Sequence, residues 1–196
     1  MEEKIRSYVL GIVGSPRRGG NTEVLVDEVL RGARDAGATV DKVILSDLDI
    51  APCDACGSCE DTGECITVDD MERLLEKMKR SDVWVLGTPV YWWGPTAQFK
   101  LFLDRWYSRV HRPQDKAMFR GQRVILVIPM GDDDPTTARH TVGMLTDGLD
   151  YVKADLFETV LAPGVNDSGE VRDHSGVLAQ AHQAGLEAVR QAGNVR

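Results

Sequence analysis

Tyr8-Val9-Leu10-Gly11-Ile12-Val13-Gly14-Ser15-Pro16-Arg17-Arg18-Gly19-Gly20-Asn21-Thr22 decides how this chain folds. An apolar run from Tyr8 to Gly14 reads as a strand buried on both faces. It breaks into a polar, glycine-containing turn, after which Val24, Leu25, Val29, Leu30 and Ala33 recur at helical spacing, with Gly37 as a stop signal and Asn21 as the expected N-cap. A strand, a turn and a helix start in that order make an anion site. The free N–H groups of the helix start and its dipole favour negative charge, and hydroxyls and one of two guanidinium groups converge on the same spot. The expected guest is a phosphomonoester on Ser15, Asn21, Thr22 and either Arg17 or Arg18. The plainer alternative is a capped strand-to-helix turn that binds nothing.

The same strand signal recurs at Thr39 to Leu45, Val83 to Gly87, Arg123 to Pro129 and Leu156 to Leu161. Helical patterns fall between these runs, at Thr22 to Ala36, Asp69 to Lys79, Thr96 to Val110, from near Pro135, and Ser175 to Ala192. Five strands alternating with five helices predict an α/β fold with a doubly wound parallel sheet, because every parallel crossover needs a helix. At 196 residues and 42% hydrophobic, one domain suffices.

A net charge of −8 disfavours a general affinity for nucleic acid. No apolar stretch reaches the roughly 18 residues of a membrane span, and the start, Met1 to Arg6, is charged and short, so a cytoplasmic protein is expected.

Ligands of such sheets bind beyond the carboxyl ends of the strands. There the third strand runs into Thr88-Pro89-Val90-Tyr91-Trp92-Trp93-Gly94-Pro95. Prolines stiffen this loop, Gly94 allows close approach and three aromatics offer ring faces, so a flat heteroaromatic ligand is expected. Three adjacent rings cannot all face one side, and Trp92 or Trp93 is equally suited to a core or subunit contact. The missing Gly-Lys-Ser/Thr ending disfavours a nucleotide triphosphatase, and the missing Gly-x-Gly-x-x-Gly disfavours a dinucleotide fold.

Phosphate at the first strand and a ring at the third fit the switch point of strand order 2-1-3-4-5. Gly14 to Thr22, Thr88 to Trp92, Lys100 and Asp104-Arg105 together resemble the NADPH-dependent FMN reductase and iron–sulfur flavoprotein branch of the flavodoxin superfamily. The resemblance implies a flavodoxin-like fold over residues 1–196, with a cysteine-rich insertion at about 46–68. It implies FMN with its phosphate on Ser15, Arg17, Asn21 and Thr22, its ring against Pro89, Val90, Tyr91, Trp92, Trp93 and Gly94, and Gly131 at a further edge of the flavin. It implies hydride transfer from NAD(P)H and electron delivery to a quinone, another flavin, a nitro compound or an iron–sulfur centre, with the flavin rather than a catalytic side chain doing the chemistry. A carrier that shuttles electrons between protein partners without nicotinamide is the alternative. A homodimer or homotetramer is expected, with Trp106 and Tyr107 extending an apolar subunit surface.

Asp132, Asp133 and Asp134, beside Gly131, read as a solvated helix start with Asp134 capping Pro135. All four cysteines, Cys53, Cys56, Cys59 and Cys65, follow C-x2-C-x2-C-x5-C within the longest connection. Three thiolates at three-residue steps and a fourth soon after can cage a [4Fe-4S] centre; zinc, and free or redox-active thiols, remain the other readings. Asp54, Glu60, Asp61 and Glu64 share the loop with no Lys or Arg, which would leave a cluster hard to reduce. Lys100, Asp104, Arg105 and Arg109 read as a solvated or subunit-facing stripe. His111, His140, His174 and His182 follow no metal-ligand spacing and read as surface or capping residues.

Overall fold

The computed structural model describes residues 7–110 and 116–192, leaving Met1 to Arg6 and His111 outside. Five strands, β1 (Tyr8–Val13), β2 (Thr39–Ile44), β3 (Val83–Gly87), β4 (Arg123–Pro129) and β5 (Asp155–Ala162), form one sheet in the order 2-1-3-4-5. Every pairing is parallel, with Val9 beside Val40 on one side and Val83 on the other. The principal helices are α1 (Asn21–Asp35), α2 (Met71–Arg80), α3 (Ala97–Asp104), α4 (Arg139–Val152) and α5 (Ser175–Ala192).

Alternation along the central strands sorts the core into two layers. Val9, Val13, Val83, Val85, Ile125 and Val127 point to α1 and α5, while Leu10, Ile12, Trp84, Leu86, Val124 and Leu126 point to α2, α3 and α4. A strand with period-two side chains can be apolar throughout only if both faces are covered, which is the state of β1, β3 and β4. Edge strands β2 and β5 are more exposed, and the boundaries expected for β1, β2 and β5 slip by a residue.

Four local expectations are corrected. Gly20, not Asn21, is the N-cap of α1; the Asn21 amide instead donates to the carbonyls of Val165 (3.2 Å) and Asp167 (2.9 Å) and accepts from Val171 N–H (3.1 Å). Three partners on the loop after β5 outcompete one cap bond. The expected helix Thr96 to Val110 ends at Asp104 and resumes only as the turn Tyr107–Val110. That break turns Trp106 inward, where it is 6% exposed and packs against Trp84, Phe102 and Phe119 at centroid distances of 5.1 to 5.8 Å, so it is core rather than subunit surface. It also carries Arg105 and Arg109 into buried positions, leaving only Lys100 and Asp104 (2.6 Å) as the expected exposed pair.

Among the described residues no helix is long and apolar enough to cross a membrane.

Helices α1 and α5 cross at van der Waals contact of their backbones. A Cβ on Gly185 would lie 1.9 Å from the Val29 carbonyl oxygen, and one on Gly32 would lie 1.9 Å from that of His182. Neither obstacle is a flexible side chain, so the helices must separate to admit a methyl group. Gly185→Ala is therefore expected to destabilise the fold by about 1 to 3 kcal/mol, read as a lowered urea midpoint.

Candidate functional site

The loops after β1, β3 and β4 are stitched into one edge. Gly14 N–H donates to the Gly87 carbonyl (2.7 Å), and the Gly14 carbonyl accepts from the Thr96 hydroxyl (2.5 Å). Thr96 also caps α3 through Phe99 N–H (3.2 Å) and donates its own N–H to the Thr88 hydroxyl (3.1 Å). Thr88 and Val90 N–H groups then reach the carbonyls of Val127 (3.0 Å) and Pro129 (3.1 Å). Gly14 is obligatory here, because a Cβ would meet Phe99 Cδ2 at 2.6 Å.

This edge encloses a crevice of about 190 Å³. Of the residues singled out in the sequence, Ser15, Arg17, Asn21, Thr22, Pro89, Val90, Tyr91 and Gly131 line it. Ser15 and Thr22 are buried hydroxyls, 4% and 2% exposed, beside the start of α1, whose first N–H groups have no intrahelical acceptor. Arg17 lines the crevice, with Nη1 3.3 Å from the Asn166 carbonyl, whereas Arg18 turns away into an ion pair with Asp47. Of the two arginines, Arg17 is the one that lines the crevice.

Trp92, Trp93 and Gly94 do not line the crevice. Tyr91 and Gly94 exchange backbone hydrogen bonds (2.8 and 3.0 Å) around a two-residue turn that holds Trp92 at φ 50° and Trp93 at φ 60°. Left-handed backbone costs a non-glycine residue about 1 to 2 kcal/mol. The turn leaves Trp92 92% exposed, and only Tyr91 of the three rings reaches the crevice. Thr141 braces the tip by donating its hydroxyl to the Trp93 carbonyl (3.0 Å).

Sequence reasoning missed the loop after β5. Val165, Asn166 and Ser168 complete the crevice with Pro129 and Met130. Asn166 donates to the Gly131 carbonyl (3.0 Å), and a Cβ on Gly131 would sit 2.2 Å from Asn166 Oδ1. The signal was present: Asn166-Asp167-Ser168-Gly169 is a turn cluster following a strand at the same edge.

Asp132 and Asp134 are occupied locally, as the solvated helix start predicts. Asp134 accepts from the Thr136 hydroxyl (2.7 Å) and N–H (2.9 Å), and Asp132 accepts from Asp134 N–H (3.0 Å) and the Thr137 hydroxyl (2.9 Å). These bonds hold both carboxyls below their ordinary range.

The four cysteines line a second, separate cavity together with Arg105, Tyr107 and Ser108. Cys53 and Cys56 are exposed, Cys65 is half-buried and Cys59 is buried. Burial pushes the Cys59 thiol up, and the fields of Cys65, Cys53 and Cys56 add to it. Tyr107 donates to the Glu60 carboxylate, whose pull raises the phenol to about 12.

The loop is not devoid of basic charge, as its own residues imply, because Arg105 enters from α3. This side chain is 3% exposed, donates Nη1 to the Ala51 carbonyl (2.9 Å), pairs with Asp69, and brings Nη2 to 3.5 Å from Cys65 Sγ. Ala51 and Asp69 flank the cysteines in sequence, so one guanidinium clasps both ends of the loop. Burial works against the Asp69 carboxylate, but bonds from Arg105, Met71 N–H and Ala51 N–H outweigh it and hold Asp69 below the usual range.

With the crevice and the thiol cavity in view, the relatives can be read. Residues 7–152 match the family model of NADPH-dependent FMN reductases. The chain belongs to this family. It is 40% identical over 116 residues to an iron-sulfur flavoprotein of Archaeoglobus fulgidus, covering 59% of this chain and 53% of the relative. It is 42% identical over 97 residues to one from Methanocaldococcus jannaschii, covering 50% of each. The chain thus spans about half the length of the curated relatives it matches. In fold this family member is similar to a solved NAD(P)H:quinone oxidoreductase from Methanothermobacter marburgensis, at 19% identity and TM-score 0.72, over 92% of this chain and 98% of that one.

Asp69→Asn leaves the buried Arg105 unpaired, so a loss of about 3 kcal/mol in unfolding free energy is expected at pH 7. The depressed pKa of Asp69 fixes the sign of the pH dependence. Its contribution is complete above the unfolded carboxylate value of about 3.9 and fades as pH falls through the lower folded value. Denaturation from pH 7 to pH 2 should show the wild type and Asp69→Asn converging only on the acid side.

Proposed function

We propose that the protein is an FMN-dependent oxidoreductase that draws on NAD(P)H and passes electrons to a second acceptor. The observation that carries this reading is the crevice at the switch between β1 and β3, lined at one sheet edge by Ser15, Arg17 and Thr22 beside the start of α1 and by Pro89, Val90 and Tyr91. The residues fit FMN. Ser15, Arg17 and Thr22 with the α1 N-terminus would take the phosphate, Asn21 would hold the loop after β5 in place, and Pro89, Val90, Tyr91 and Gly131 would border the ring. When bound, FMN supplies the redox chemistry, accepting a hydride equivalent and releasing electrons. The protein orients it through the stitched loops, excludes water where Ser15 and Thr22 are buried, and leaves the Trp92-Trp93 tip to meet the second substrate or a partner surface.

The cysteine cavity supports the further reading of an iron–sulfur flavoprotein. Four thiols line one cavity and a cation touches one of them; the donor chemistry suits a [4Fe-4S] centre held by Cys53, Cys56, Cys59 and Cys65, although among the described residues no group of side chains converges closely enough to hold a single metal ion. Such a centre would exchange electrons one at a time with a redox-protein partner, while small acceptors such as quinones, nitro compounds or free flavins would meet the crevice directly.

Stopped-flow mixing of FMN-loaded protein with NADPH and with NADH tests the oxidoreductase, which should bleach its flavin absorption with either or both. Bleaching only by a ferredoxin-type donor would make the protein a carrier. Arg17→Ala should weaken FMN binding by about 1.5 to 3 kcal/mol in a fluorescence titration, through loss of a charge-assisted phosphate contact, while Arg18→Ala should change it little.

A further inference from the structure

We propose that Arg105 raises the reduction potential of the centre held by the four cysteines, by directing a charge-assisted hydrogen bond at the sulfur of Cys65. This inference rests on the iron–sulfur reading above. Residues 46–68 contain acidic side chains and no Lys or Arg, so any favourable charge must arrive from elsewhere in the fold. Arg105 brings such a charge to the sulfurs, with Nη2 3.5 Å from Cys65 Sγ, while Arg18 pairs with Asp47 at the start of the segment.

Two features separate this role from that of a strut. Holding the loop requires only the bonds to Ala51 and Asp69, which Nη1 makes by itself; Nη2 touches Asp69 as well but also faces the sulfur. In addition, Arg105 Nε is buried without a hydrogen-bond partner, on a residue that lines the sulfur cavity. A buried N–H without an acceptor is costly, and a sulfide- or thiolate-bearing centre is rich in acceptors. The pair with Asp69 is neutral overall but presents its cationic end to Cys65. An electron added to the centre increases negative charge on the sulfurs, so the reduced form gains more from this contact than the oxidised form.

Arg105→Met alone strands a buried carboxylate and risks unfolding, so the informative variant is Arg105→Met with Asp69→Asn, which removes both charges and keeps the net charge unchanged. Arg105→Lys restores the charge without the planar fork. The full chain and both variants would be loaded anaerobically with ferrous iron and sulfide. Iron and acid-labile sulfide per chain, circular-dichroism melting, and the midpoint from an EPR-monitored dithionite titration would then be compared. The expected result is equal iron content, with the midpoint of the double variant shifted to lower potential and part of that shift recovered in Arg105→Lys. An unchanged midpoint at equal iron content overturns the inference, as does loss of iron from a folded double variant, which would make Arg105 an assembly residue. Failure of the wild type to retain iron and sulfide removes the iron–sulfur reading itself, a result distinct from either.

Discussion

Everything at the binding edge depends on the bonds that join Gly14 to Gly87 and Thr96. Parallel pairing brings the ends of β1, β3 and β4 to the same side, but it leaves their loops free to diverge. The Thr96 hydroxyl removes that freedom, since one oxygen donates to the phosphate-loop carbonyl and accepts from the first turn of α3. Its burial makes these bonds strong, because no water competes for them. The absence of a side chain at Gly14 permits the approach, with Phe99 filling the space a Cβ would need. A polar turn and an aromatic loop far apart in sequence thus become two walls of one crevice.

Most of that architecture was legible because it rests on short-range signals. β1, β3 and β4 are apolar runs that only a doubly covered sheet accommodates, and α5 was bounded by its own periodicity. The turn from Gly14 to Thr22 was legible as a strand-to-helix connection for the same reason, except at Asn21. There a favourable N-cap residue was drawn away by Val165, Asp167 and Val171, partners about 150 positions distant. Propensity describes what a residue does when nothing else is nearby, and Asn21 has close neighbours. Trp92 and Trp93 illustrate a related limit. Their composition marks a ring-binding loop, but the left-handed turn that throws them outward depends on the Tyr91–Gly94 pairing and on Thr141, neither of which has a local signature.

Arg105 was misread for a deeper reason. Its spacing from Lys100 and Asp104 places it on an ordinary charged helix, and the helix stops one residue too early for that pattern to apply. What stops it is a set of tertiary contacts: Trp106 completes an aromatic cluster, and Asp69 and Ala51 capture the guanidinium. A buried ion pair contributes little net stability when its desolvation is counted, yet removing one partner is severe. Such a pair therefore acts as a specificity device, fixing which way the chain turns after Asp104 and where the cysteine loop begins and ends.

The two candidate sites consequently answer to different physical controls. The crevice is held by many hydrogen bonds at the edge of the sheet, from backbone groups and from the Thr96 and Asn21 side chains. The cysteine cavity is built on an insertion whose ends are held by one guanidinium, so its shape depends on a single charged contact. Phosphate-loop and cysteine-loop residues share neither cavity lining, and the described link between the two regions is the exposed pair of Arg18 and Asp47. An exposed pair of this kind carries at most about 1 kcal/mol, too little to force one site to follow the other. The cysteine loop can then be altered while the crevice at the sheet edge keeps its shape.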